Sequence, residues 1–71
     1  NPTNGSISFK LGEQQIILIQ IIDCNGRVCG SFDVQKQSDF VLSTEKYQPG
    51  IYFYKATSVN GMIHTGKFVV Q

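Results

Sequence analysis

Pro49-Gly50-Ile51-Tyr52-Phe53-Tyr54-Lys55-Ala56 is the stretch whose reading decides the fold. Its Pro-Gly pair makes a turn, because Pro presets φ near about −65° and Gly tolerates positive φ. The residues that follow are β-branched and aromatic, the side chains that suit a pleated, half-buried surface. Alternation puts Ile51 and Phe53 on one side, and Tyr52, Tyr54 and Ala56 on the other. Both sides carry bulk, which predicts a central strand covered on both faces.

Working outward, the pattern stays strand-like throughout. Ser6 to Leu11 alternates polar and apolar residues, the period of a half-buried strand. Gly12-Glu13-Gln14 reads as a turn. Gln15 to Asp23 reads as a second strand, with Ile17, Ile19 and Ile21 expected on one face. Its other face, Ile16, Leu18 and Ile22 around Gln20, is too apolar for a solvated surface. That face is either a docking patch or covered by a neighbouring segment. Asn25-Gly26 and Asn60-Gly61 are both hairpin signals of the type I′ kind. Further strands are expected over Arg27–Val34, Asp39–Leu42, Gly50–Val59 and Met62–Gln71, the last interrupted near Gly66, with Phe68 and Val70 facing inward.

No helical apolar period appears. Six to seven short strands with regular turn signals predict an all-β, immunoglobulin-like antiparallel β-sandwich. Residues 1–5 read as a linker or lead-in turn, and residues 6–71 as one domain. Tyr52, just after Pro49-Gly50, is placed to form a tyrosine corner, its hydroxyl bonding back to upstream backbone. At 71 residues the chain has room for a single core.

Composition narrows the function. The net charge is +1, and Lys10, Arg27, Lys36, Lys46, Lys55 and Lys67 are scattered, with no basic run to follow a phosphate backbone. Nucleic acid is therefore not an expected partner. No apolar run approaches the roughly 18 residues of a membrane span, so membrane insertion is not expected. An opening Asn-Pro-Thr with no signal peptide reads as cut from a longer polypeptide.

Catalytic groups do not converge. His64, the one histidine, sits in a polar-apolar alternation that suits a solvated strand position. Asp23 is placed to accept turn N–H groups before Asn25-Gly26. Gly5, Gly26 and Gly61 each follow an Asn and read as turn glycines. Asn4-Gly5-Ser6 is a three-residue match to the glycosylation acceptor pattern, too short to carry weight. Cys24 and Cys29 flank the first hairpin turn. They are either a cross-strand disulfide, if the register sets them opposite within about 4.4–6.8 Å between Cα atoms, or two small free thiols. Two Cys and one His are too few for zinc. No catalytic residue, metal or cofactor is expected.

Taken in order, several short motifs resemble one family. They are Asn1-Pro2-Thr3-Asn4-Gly5, Ile19 to Asp23 with Asn25-Gly26-Arg27, Gly50 to Lys55, Asn60-Gly61, and Gly66-Lys67-Phe68-Val69-Val70-Gln71. The family is the type A C-terminal sorting domain of proteins exported by the bacterial type IX secretion system. Departures are Cys24 and Cys29 around the hairpin, and Tyr47 where Leu is more usual. The resemblance implies an immunoglobulin-like sandwich acting as an address for an attached N-terminal cargo. Its implied partners are the outer-membrane translocon, a shuttle and a sortase-like peptidase. The implied route runs through the periplasm to secretion or the cell surface. Carried over by motif, Lys67, Phe68, Val69, Val70 and Gln71 are the recognition candidates. Gly26, Gly50 and Tyr52 read as structural. The last strand is also expected to offer free edge groups to a receptor. Two other readings compete: an adhesion or carbohydrate-binding module, which needs Tyr47, Tyr52 and Tyr54 exposed as a platform, and an inter-domain spacer.

Overall fold

A computed structural model describes residues 2–3, 5–12, 15–35 and 37–71. Among these residues seven strands follow one another: β1 (Pro2–Thr3), β2 (Ser6–Lys10), β3 (Ile16–Asp23), β4 (Val28–Asp33), β5 (Asp39–Ser43), β6 (Gly50–Ser58) and β7 (Ile63–Val70). They form a five-stranded sheet in the order β1-β7-β6-β3-β4 and a two-stranded sheet of β2 and β5. Every pairing is antiparallel except the two rungs joining β1 to β7, Pro2 opposite Val69 and Thr3 opposite Val70. The all-β sandwich expected from the sequence is the fold found. Among the described residues no helix is long and apolar enough to cross a membrane.

The core lies between the sheets. Ile19, Ile21, Val34 and Phe68 are fully buried, with Leu11, Ile16, Leu42, Tyr52, Ala56 and Val70 around them. The small sheet contributes Ile7, Phe9 and Phe40. Phe9 sets its ring edge-on to Tyr54 at 5.0 Å, a favourable arrangement for aromatic quadrupoles. The small sheet is tied at one end by Thr44, whose N–H donates to the Gly5 carbonyl at 2.9 Å. Its buried hydroxyl in turn accepts the Gly5 N–H at 3.2 Å.

Two β-bulges revise the facing read from the sequence. Between Ile16 and Leu18 the β3–β6 register slips by one, leaving Ile17 as the extra residue. Ile16 thereby joins Ile19 and Ile21 in the core, and the expected inward Ile17 does not. On β4 the register slips between Gly30 and Val28, and Cys29 is the extra residue. The strand over β7 is also unbroken at Gly66, because the Tyr54 ring lies where a Gly66 side chain would be.

The hairpin turns differ in type from expectation. Asp23 N–H donates to Arg27 C=O at 2.9 Å and Ser58 N–H to Met62 C=O at 2.9 Å, so each loop has three residues, not two. The only positive φ within those loops are Gly26 at 85° and Gly61 at 88°. This is a three-residue loop ending on a left-handed glycine, whereas a type I′ turn would need Asn25 and Asn60 at positive φ as well. The expected turn over residues 12–14 falls partly outside the described residues.

Candidate recognition surface

β6 is the middle strand of the large sheet, and its two faces meet different surroundings. On the inner face Tyr52 stacks between Tyr47 at 5.2 Å and Phe68 at 5.7 Å. Its hydroxyl donates to the Gln48 carbonyl at 2.7 Å, closing the segment that leads into β6 in the geometry of a tyrosine corner. Burial raises the Tyr52 phenol above its ordinary pKa, with the neighbouring Cys29, Asp23 and Cys24 adding to the effect. Tyr47 is shifted the same way, again mainly by burial.

The outer face is open, contrary to the expectation of a strand covered on both sides. Ile51 is 47% exposed and Phe53 41%. A two-layer sandwich has no third layer to cover them. Direct pairing places Val28, Ile22, Phe53 and Lys67 in one row across four strands of this face. The next row toward the β6 start holds Ile51 and Val69. On the other side lie Ser31, Gln20, Lys55 and Thr65, then Asp33, Leu18, Thr57 and Ile63.

The five candidate residues of the last strand divide between the two faces. Lys67 is exposed and Val69 half-buried on the outer face, with Gln71 exposed beyond the strand. Phe68 and Val70 are core residues, closed to any partner of the folded domain. The edge of β7 is also less free than expected, since β1 covers it at Val69 and Val70. Of the apolar patch suggested by Ile16, Leu18 and Ile22, the last two do face outward, and Ile16 does not. Gly50 pairs with Val70, and Gly26 ends the first hairpin loop.

Around that loop, Asp23 Oδ1 accepts the N–H groups of Asn25 at 2.9 Å and Arg27 at 3.0 Å, the turn-capping role read from the sequence. Arg27 Nε lies 3.9 Å from Asp23 Oδ2 at the surface. Cys24 and Cys29 are exposed free thiols. The register explains why they are not partners: Cys24 lies in the loop beyond the Asp23–Arg27 rung, and Cys29 is the unpaired bulge residue. The Cys29 thiol is raised in pKa, first by partial burial and then by Asp23. Among the described residues no group of three His, Cys, Asp or Glu is arranged to hold a metal ion.

A family model described as the secretion system C-terminal sorting domain matches residues 1–71, the whole chain. The chain belongs to that family. The domain is the sorting signal of a type IX secretion cargo, and a signal of this kind is not itself catalytic. It implies engagement with the type IX machinery and an attached cargo that is secreted or displayed at the cell surface. No curated protein and no solved structure matches the chain. The adhesion-module reading loses its feature, because Tyr47, Tyr52 and Tyr54 pack inward and present no aromatic platform.

The residues that sequence reasoning missed are Val28, Ile51 and Phe53. A signal was available in the number of layers. Among the described residues the strands make two sheets, and an antiparallel sheet packed on one face leaves its other face to solvent or a partner.

Proposed function

We propose that the type IX machinery reads this sorting domain in the periplasm as a folded unit, through the outward residues Lys67 and Val69 of the last strand and Gln71 just beyond it. The single observation behind this reading is the alternation along β7. Phe68 and Val70 anchor the strand in the core and so hold their neighbours in fixed positions on the surface. A fixed surface binds at lower entropic cost than a disordered tail. In this reading the outer-membrane translocon and its shuttle take the domain with its cargo, and a sortase-like peptidase then removes it.

The test fuses the domain to a reporter carrying an inner-membrane export signal, in a type IX-competent bacterium. Deleting residues 67–71 would remove core residues too, so the informative variant is Lys67→Ala with Val69→Ser and Gln71→Ala. The parent fusion reaches the surface or medium, and the triple variant stays in the periplasm with its fold intact by circular dichroism. Undiminished secretion of the triple variant refutes the assignment to the last strand.

A further inference from the structure

The outer face of the large sheet joins an apolar cluster to unpaired cations. Ile22, Val28, Ile51, Phe53 and Val69 adjoin one another by direct or diagonal pairing, and Ile51, Phe53 and Val28 (54% exposed) stand well out of the surface. Phe53 is at the middle of the central strand, where a large exposed aromatic contributes little to the domain's own packing. A contiguous apolar patch on a sheet face marks a contact surface rather than scattered surface apolarity.

Charge then selects the occupant. Lys67 lies directly opposite Phe53, and Lys55 lies opposite Thr65, which makes the two lysines diagonal neighbours. Neither has a carboxylate within ion-pair distance among the described residues. Among the described residues the carboxylate of this face is Asp33, in the Leu18 row on β4, three strands from Lys67 and two from Lys55. Those spacings come to about 14 Å and about 10 Å before the offset between rows is added, beyond the roughly 8 Å screening length at physiological salt. The face thus joins apolar residues to two lysines that pair with no carboxylate among the described residues. A second copy laid on it would gather four lysines against two aspartates, leaving the contact net positive. An anionic lipid surface is held by clusters of about four to eight cations, and this face has two.

We propose that the outer face, centred on Phe53 with Ile22, Ile51 and Val69, docks a protein surface of apolar side chains bordered by carboxylates, which pair with Lys55 and Lys67. The inference rests on the sorting-signal reading and extends the contact from the last strand onto β6 and β3, with Lys67 and Val69 shared by both and Phe53, Ile51, Ile22 and Lys55 its own. Apolar contact at the centre with charge at the rim is the usual division of labour in protein recognition.

The experiment uses the same reporter fusion, with variants that leave Lys67, Val69 and Gln71 intact. Phe53→Ser and Lys55→Glu, singly, each lower surface delivery by roughly tenfold or more, as loss of a central contact does. Phe53→Leu restores most of it. Val41→Ser, at an exposed apolar residue of the small sheet, leaves delivery at the parent level and controls for general surface change. Thermal melts check that each variant is folded. If Phe53→Ser and Lys55→Glu are delivered like the parent, the docking face is wrong while the sorting reading stands. If the parent fusion is not delivered, both are wrong. Sedimentation of the purified domain with phosphatidylglycerol vesicles, or Phe53-dependent dimerisation in analytical ultracentrifugation, would overturn the choice of a protein partner.

Discussion

The ring of Tyr54 lies across Gly66, its partner on the neighbouring strand, so closely that a Cβ on Gly66 would overlap the ring. A glycine inside a strand ordinarily weakens it by leaving backbone exposed and nothing to pack. Here the aromatic ring takes the missing side chain's place. The ring is not free to move aside, because Phe9 meets it edge-on from the small sheet. The pair therefore fastens β7, β6 and β2 at one point.

Gly66→Ala is expected to destabilise the domain by about 1–3 kcal/mol, the range for overpacking a filled site. Urea denaturation measures it. In a Tyr54→Ala background the same substitution should cost less, since the obstruction is gone. Additive penalties in that double-mutant cycle would contradict the described contact.

Tyr52→Phe removes the hydroxyl that donates to Gln48 C=O while keeping the ring between Tyr47 and Phe68. The expected loss is about 1 kcal/mol. The pH dependence has a definite sign. The folded state holds the Tyr52 proton more tightly than the unfolded chain, so its contribution is fully present below the unfolded tyrosine pKa, about 10. That contribution fades as pH rises from there through the raised folded value. Tyr47 and Cys29 shift in the same direction. Stability should therefore fall at alkaline pH, and Tyr52→Phe should make the fall shallower without abolishing it.

Asp23 and Arg27 should behave unequally despite their ion pair. Asp23→Ala leaves two loop N–H groups without their acceptor and is expected to cost about 1 kcal/mol. Arg27→Ala removes one long, exposed contact and should cost about 0–0.5 kcal/mol. Thermal melts of the two variants give the comparison. Equal losses would place the stabilisation in the ion pair instead of the loop hydrogen bonds.

Both cysteines should be alkylated by a maleimide without unfolding, as exposed thiols are. Cys29 should react more slowly than a model thiol near neutral pH, because its raised pKa leaves less thiolate. Mass spectrometry of the labelled domain resolves the two positions. A product that resists labelling until reduced would instead mean a disulfide.

How much of this was legible beforehand depends on which interactions set each feature. Strand positions were readable because alternation and turn residues are local: Ser6 to Lys10 and Gly50 to Ser58 fall where the pattern placed them. The inward facing of Phe68 and Val70 followed from the same period. The bulges at Ile17 and Cys29 left no mark, since an inserted residue looks like any other until its partner strand is known. That single slip decides whether Ile16 or Ile17 enters the core. The loops at Asn25-Gly26 and Asn60-Gly61 were correctly located and wrongly typed, because Asn-Gly serves both loop lengths and the flanking register chooses. At the candidate surface, the motif singles out Lys67, and the alternation along β7 puts it on the exposed face. Phe53 was hidden by its own hydrophobicity, which reads as core until the number of layers is counted.

The parallel rungs between β1 and β7 have a mechanical consequence. Both strands run in the same direction, with Pro2 beside Val69 and Thr3 beside Val70. Tension between Pro2 and Gln71 therefore pulls along the strands in opposite senses and loads these rungs together, in shear. A hairpin pulled at its open end would instead unzip one rung at a time. A load dragging on the segment before Pro2 meets this small clasp first, and the core behind it stays shut while the clasp holds.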